Sequence, residues 1–220
     1  MKTSTASNTP ITLPTVPPTP APSGGRTGQL GSLNGNSCPK KQQELTALAP
    51  ENVHGLTLSE HPTFWFYVPF TSEELQLGEF SILTWDEEQQ IYATSFALPE
   101  TPGFVSVSLP TSGEVSLEEG QPYHWYANFY CAASLDADAD LRLNGWVQRV
   151  ARTPEREQQV SNATPDIWYD ATNHLAEKLQ VQSADAPVLK QTWIDLLDSV
   201  GLGDLSQAPF VDSASGVETP

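Results

Sequence analysis

The residues 136–140, Asp136-Ala137-Asp138-Ala139-Asp140, alternate carboxylates with alanines as an EF-hand calcium loop does at its start. The chemistry would be cation binding, but the sixth position is Leu141 where such a loop needs glycine to turn. The twelfth is Val147 where it needs a bidentate glutamate. The run reads as a solvated acidic hairpin tip. The four histidines, His54, His61, His124 and His174, stand far apart, and none belongs to an H-x-x-x-H or H-E-x-x-H pattern. A metal centre would have to be assembled from distant elements. No G-x-S-x-G elbow is present, and neither cysteine has a histidine beside it to act as a base. The glycines between 24 and 35 do not form a phosphate cradle, which excludes a nucleotide site of the usual kinds. Adjacent acids such as Glu73-Glu74 and Glu118-Glu119 would point to opposite faces of a strand and could not share a proton, so they read as solvated turns. The residues predict no catalytic set, no cofactor and no metal site.

Ligand recognition is the other chemistry in reach, because the chain carries six Trp and six Tyr. Flat aromatic rings on a sheet face can stack on sugar rings. Trp65, Trp125, Trp168 and Trp193 each fall on an apolar stripe and are expected in the core. The segment 123–131 separates its faces cleanly. Tyr123, Trp125, Ala127, Phe129 and Cys131 share one face, while His124, Tyr126, Asn128 and Tyr130 share the other. On that second face His124, Tyr126 and Tyr130 are the candidate ligand-facing residues. For His124 the plain alternative is a surface imidazole packed on an aromatic neighbour. Cys38 and Cys131 form either one bridge or a buried and an idle thiol. A bridge across so long a loop would stabilise the fold by about 4 to 5 kcal/mol in the chain-entropy model, and only in an oxidising compartment.

The elements that must position these residues are strands. Between 44 and 150 short apolar runs of period two are broken every ten residues or so by turn residues, which is an all-β signature. The run Phe64-Trp65-Phe66-Tyr67, bracketed by Pro62 and Pro69, is apolar on both faces, as a central strand covered on both sides would be. Strands follow at 80–85 and 91–98, joined by a hairpin loop, and at 104–109, where Val105, Val107 and Leu109 face in and Ser106 and Ser108 face out. The last strand is 142–150, with Gly145 a bulge or a point of close approach. Tight turns without intervening helices favour antiparallel pairing over a βαβ sheet. Leu117-Glu118-Glu119-Gly120-Gln121-Pro122-Tyr123 has the L-x-x-G-x-x-Y spacing of a tyrosine corner, resembling that of fibronectin type III and immunoglobulin-like sandwiches. After Val150 the period becomes helical. Thr153-Pro154, Thr164-Pro165 and Asp185-Ala186-Pro187 are start signals, Trp168, Ala171, Leu175 and Leu179 form one stripe, and Gly201 and Gly203 stop the last helix.

The ends and the charge set limits. Residues 1–43 are rich in Pro, Thr, Gly and Ser and cannot bury enough apolar area to offset roughly 1 to 2 kcal/mol of ordering entropy per residue, so they read as a disordered tail. The expected division is a tail at 1–43, a β-sandwich domain at 44–151, a helical extension at 152–210 and a second tail at 211–220. Acidic side chains number 27 against 10 basic, a net charge of -17, which disfavours nucleic acid and anionic membrane surfaces as partners. That charge serves solubility, or a basic partner or cations. No stretch approaches the roughly 20 apolar residues of a membrane-spanning helix. Residues 1–7 lack the apolar core of a secretory signal.

Several strings carry a family resemblance. His61-Pro62-Thr63-Phe64-Trp65-Phe66-Tyr67-Val68-Pro69 resembles the hallmark of a cyanobacterial family called domain of unknown function 928. In the expected order follow Leu98-Pro99 with Thr101-Pro102-Gly103, Tyr123-His124-Trp125-Tyr126, Gly145-Trp146-Val147, Ile167-Trp168-Tyr169-Asp170 and Ser199-Val200-Gly201-Leu202. The resemblance spans about 38 to 209 and implies export to the periplasm or outside, with no activity or site residues attached. The alternatives are a cytoplasmic chain or an export signal outside this sequence. The sequence therefore predicts a mainly β fold, an immunoglobulin/fibronectin-III-like antiparallel β-sandwich with a C-terminal α-helical hairpin. Its expected role is non-enzymatic interaction with a protein or glycan. A glycan-binding module, or a glycan-active or hydrolase-like enzyme whose carboxylates converge only in three dimensions, is the alternative.

Overall fold

Alternating and doubly apolar runs become strands, and nine strands and three α-helices are seen among the described residues of the computed structural model, 25–27, 29–30, 38–113, 115–131, 138–181 and 186–211. In chain order the strands are Gln29–Leu30 (β1), Thr46–Ala47 (β2), His54–Thr57 (β3), Thr63–Val68 (β4), Leu77–Thr84 (β5), Gln90–Ala97 (β6), Gly103–Ser108 (β7), Pro122–Tyr130 (β8) and Leu141–Arg149 (β9). The helices are Pro154–Ser161 (α1), Trp168–Gln180 (α2) and Ala186–Asp198 (α3). The larger sheet runs β1-β9-β8-β5-β6, with β3 also paired to β9; the smaller is β2-β4-β7. The expected all-antiparallel pairing needs one correction. β3 runs parallel to β9, His54 to Thr57 lying opposite Trp146 to Arg149, while β1 takes the first residues of the same edge.

The sheets pack face to face through rings. Phe64 lies 4.8 Å from Phe80, and Phe66 lies 6.0 Å from Trp125 and 6.2 Å from Phe129, between centroids. Burying one such side chain contributes about 1.5–3 kcal/mol, so this layer dominates the core. β4 is buried on both sides because helices cover its other face: Trp65 donates Nε1–H to Asn173 of α2 at 3.1 Å, and Phe104 of β7 meets Trp193 of α3 at 5.4 Å. For the same reason Ser106, expected outside, is buried, whereas Ser108 is exposed. Helices α2 and α3 are thus a third layer that shares one continuous apolar cluster with both sheets.

Local signals act as their chemistry requires. The Tyr123 hydroxyl accepts the Glu118 N–H at 3.1 Å, the tyrosine-corner bond that the spacing predicts. Gly145 is a close approach, not a bulge: the β8–β9 register is continuous, and a Cβ there would stand 2.8 Å from the Val53 carbonyl oxygen. Thr153 caps α1 by accepting the Arg156 N–H at 3.3 Å. Thr164 makes no side-chain cap bond, and a 3-10 turn at Pro165–Ile167 leads into α2 instead. Gly201, with φ of 72°, follows the end of α3.

The expected tails are only partly in view, since 1–24, 31–37 and 212–220 lie outside the described residues. Within 1–43, however, the chain is tied to the fold. Arg26 donates to the Val200 carbonyl at 2.6 Å, Ala47 N–H donates to the Arg26 carbonyl at 2.7 Å, and Cys38 is buried. Composition misses this because these contacts use backbone and one arginine rather than an apolar pattern. Asp136 and Ala137 of the acidic run also lie outside the described residues; Asp138 pairs with Arg142 at 3.5 Å.

Candidate functional site

β8 projects His124, Tyr126 and Tyr130 to the face of the larger sheet that points away from β4, and cross-strand register decides what surrounds them. His54 of β3 and His124 of β8 both lie opposite Trp146 of β9. The His124 ring stacks on Trp146 at 4.2 Å and 10°, His54 lies on the far side of Trp146 at 6.0 Å and 28°, and Tyr126 lies 4.3 Å from His124. His124 is accordingly only 1% exposed. It is a packed imidazole, and more deeply covered than a surface position would be.

Polar groups pin this row. His124 donates Nδ1–H to Glu87 Oε1 at 2.7 Å, and the Tyr126 hydroxyl donates to the same oxygen at 2.9 Å; His124 Nε2 lies 3.4 Å from Asn144 Oδ1. Glu87 reaches back from the β5–β6 turn in a left-handed conformation with φ of 61°. Burial, and then the Glu87 carboxylate, holds the Tyr126 hydroxyl well above the usual phenol range. Tyr130, whose hydroxyl donates to Glu79 Oε2 at 3.3 Å, is pushed up to about 12, by burial first and Glu79 second. Burial, and then nearby His124, holds His54 below the usual imidazole range. Both tyrosines therefore remain neutral hydroxyls at any ordinary pH.

The other two histidines meet elsewhere. A cleft of about 240 Å³ between α2 and the 57–63 segment is lined by His61, Arg152, Asp170, Asn173, His174 and Glu177 among others. Asp170 accepts the Leu58 N–H at 2.9 Å, yet burial holds its carboxyl above the usual carboxylate range against the Thr57 hydroxyl and that backbone bond. Among the described residues His174 Nε2 is buried without a hydrogen-bond partner, and burial holds the ring below its usual range. This cleft was not visible in sequence. Only the spacing of Asp170, His174 and Glu177 on one helical face hinted at it.

Cys38 and Cys131 are bridged, their Cα atoms 5.7 Å apart across 93 residues of chain. Among the described residues, the one group of His, Cys, Asp or Glu close enough to share an ion is these two cysteines with Asp140, and the disulfide commits both sulfurs. Of the acid pairs, Glu74 does more than face solvent: it meets Lys41 at 2.6 Å and accepts the Thr71 N–H at 3.0 Å.

Comparison with known proteins bears on the family resemblance that the strings between about 38 and 209 carry. No curated protein matches it. Residues 23–210 match the family model described as Domain of Unknown Function (DUF928). The match takes in every described strand and helix, and the chain belongs to the DUF928 family.

Proposed function

We propose that the protein is a non-enzymatic interaction module of the periplasm or cell exterior, which meets a partner protein with the outer face of its larger sheet. The observation that carries the reading is the pinned row His54, Trp146, His124 and Tyr126, with Glu87 engaged twice. Such a surface is ordered before binding, so little entropy is lost on contact. The compartment rests on the Cys38–Cys131 bridge, since disulfides persist where the environment is oxidising. The fold is a variant immunoglobulin/fibronectin-III-like sandwich, supported by the Tyr123 corner bond and the face-to-face sheets. The stacked row disfavours sugar binding on this face, because His124 lies flat against one side of the Trp146 ring and His54 stands toward the other.

The test is affinity capture from a cyanobacterial host with three baits: the full chain, a Ser81→Arg/Ala93→Arg variant, and a chain lacking residues 1–24. Positions 81, 93 and 126 are register partners across β5, β6 and β8, so both arginines enter the same face. A protein retained by the full and shortened chains but lost from the variant is expected. Retention by the variant together with loss on shortening would move the interaction to the N-terminal segment.

One observation favours a second reading, an enzyme of the glycan-active or hydrolase-like class. Asp170 and Glu177 line the α2 cleft seven residues apart, roughly 10 Å along the helix axis, near the wide end of the separations used by paired carboxyls. Turnover of aryl glycosides that disappears in both Asp170→Asn and Glu177→Gln would establish it.

A further inference from the structure

A different region of the surface, independent of the sheet face, has the make-up of a ligand site. Where the β5–β6 turn approaches the tyrosine corner, a groove of about 590 Å³ opens. That volume lies within the about 300–1,000 Å³ of small-molecule sites. On its wall stands Trp85, 44% exposed. Trp65, Trp125, Trp168 and Trp193 are buried and Trp146 is stacked between histidines, so among the described residues Trp85 is the indole with a ring free to meet a ligand. The remaining lining includes the amides of Gln89, Gln90 and Gln121 and the carboxylates of Asp86 and Glu118, and, among the described residues, no Lys or Arg. Those three amides are exposed and make no side-chain hydrogen bond within the described residues.

Both walls are held rigid. In the turn, Thr84 N–H donates to the Gln89 carbonyl at 2.9 Å, Gln89 N–H donates to Thr84 Oγ1 at 3.1 Å, and Thr84 Oγ1 donates to Asp86 at 2.6 Å. Opposite, the corner bond from Glu118 N–H to the Tyr123 hydroxyl fixes the Glu118 backbone. A free indole face attracts the slightly positive C–H faces of a sugar ring, and amides and carboxylates flanking it suit hydroxyls as donors and acceptors. A groove without a cation and with two acids disfavours phosphate, sulfate or nucleic acid. We infer that this groove binds a short segment of a neutral polysaccharide, with one sugar ring on Trp85 and neighbouring hydroxyls on Gln89, Gln90, Gln121 and Asp86.

The inference is tested by titrating the full chain with cellohexaose, xylohexaose, maltohexaose and chitohexaose, followed by calorimetry and by Trp fluorescence. Saturable binding of at least one is expected, weakened about tenfold or more by Trp85→Ala, as for a stacking anchor at the centre of a contact, and several-fold by Gln121→Ala. Both positions are exposed, and unchanged thermal unfolding confirms that each variant is folded. Failure of all four sugars to saturate, or binding that Trp85→Ala leaves unchanged, would overturn the inference. So would quenching by a proline-rich peptide of residues 9–22 where no sugar quenches, since that would assign the groove to an extended peptide.

Discussion

Asp170 shows how one buried residue reports on the packing around it. Its carboxyl is held above the ordinary value of 3.8 by burial, so the folded chain keeps a proton that the unfolded chain has released. Stability from this group falls as pH rises from about 3.8 through the folded-state value, and is level beyond it. Asp170→Asn keeps an oxygen for the Leu58 N–H and removes the titration; denaturant midpoints measured from pH 3.5 upward should lose that downward slope. His174 acts in the opposite sense. Burial favours its neutral form, so acidification through 6.5 should destabilise the protein, and His174→Gln should blunt that loss. The candidate ligand residues His124, Tyr126 and Tyr130 were legible from alternation in one strand. Their neighbours His54 and Trp146 were not, because a cross-strand stack depends on register, and the 54–57 segment is too short to display one.

At the scale of elements, the family strings turn out to be places where one element is fastened to another. Trp168 donates to the Leu48 carbonyl at 2.7 Å, Tyr169 accepts from Trp125 Nε1 at 2.8 Å and donates to the Trp146 carbonyl at 3.0 Å, and Asp170 takes the Leu58 N–H. Three consecutive residues of α2 thus lock the helix at four points, to β8, to β9 and to the chain just past β2 and β3. Gly55 belongs to the same joint: a Cβ there would come within 2.5 Å of the Tyr169 ring, so Gly55→Ala should cost about 1–3 kcal/mol in denaturant unfolding. Tyr123→Phe, which removes the corner bond while keeping the ring, should cost about 1 kcal/mol by the same measurement. The strands β4 to β9 were readable because each alternates or is apolar throughout over six or more residues. The strands β1 to β3, of two to four residues, carry too little pattern, and the parallel pairing of β3 leaves no local mark.

For the whole molecule, one apolar cluster running through both sheets, α2 and α3 implies one cooperative unit. The 44–151 segment alone would expose Trp65 and Phe104, which α2, α3 and Phe210 now cover, and it should fail to unfold cooperatively in calorimetry. The disulfide acts at this scale too, closing a long loop between Cys38, ahead of β2, and Cys131, just past the end of β8. Reduction should lower stability by about 4 to 5 kcal/mol, read as a shift of the denaturant midpoint. What sequence could not supply was where distant residues meet. The His54–Trp146–His124 row, the cleft that His61 and His174 line and the Trp-walled groove arise only once these distant segments are placed together.

The proposed meeting of a partner with the outer face of the larger sheet can be caught directly by crosslinking. A photoreactive p-benzoylphenylalanine placed at Ala93, exposed and in register with Ser81 and Tyr126 on that face, tests it in the native host, with the same group at Val188 on α3 as the comparison. A single protein adduct from position 93 and none from position 188 is the predicted result. Adducts from position 188 with none from position 93 would contradict the account.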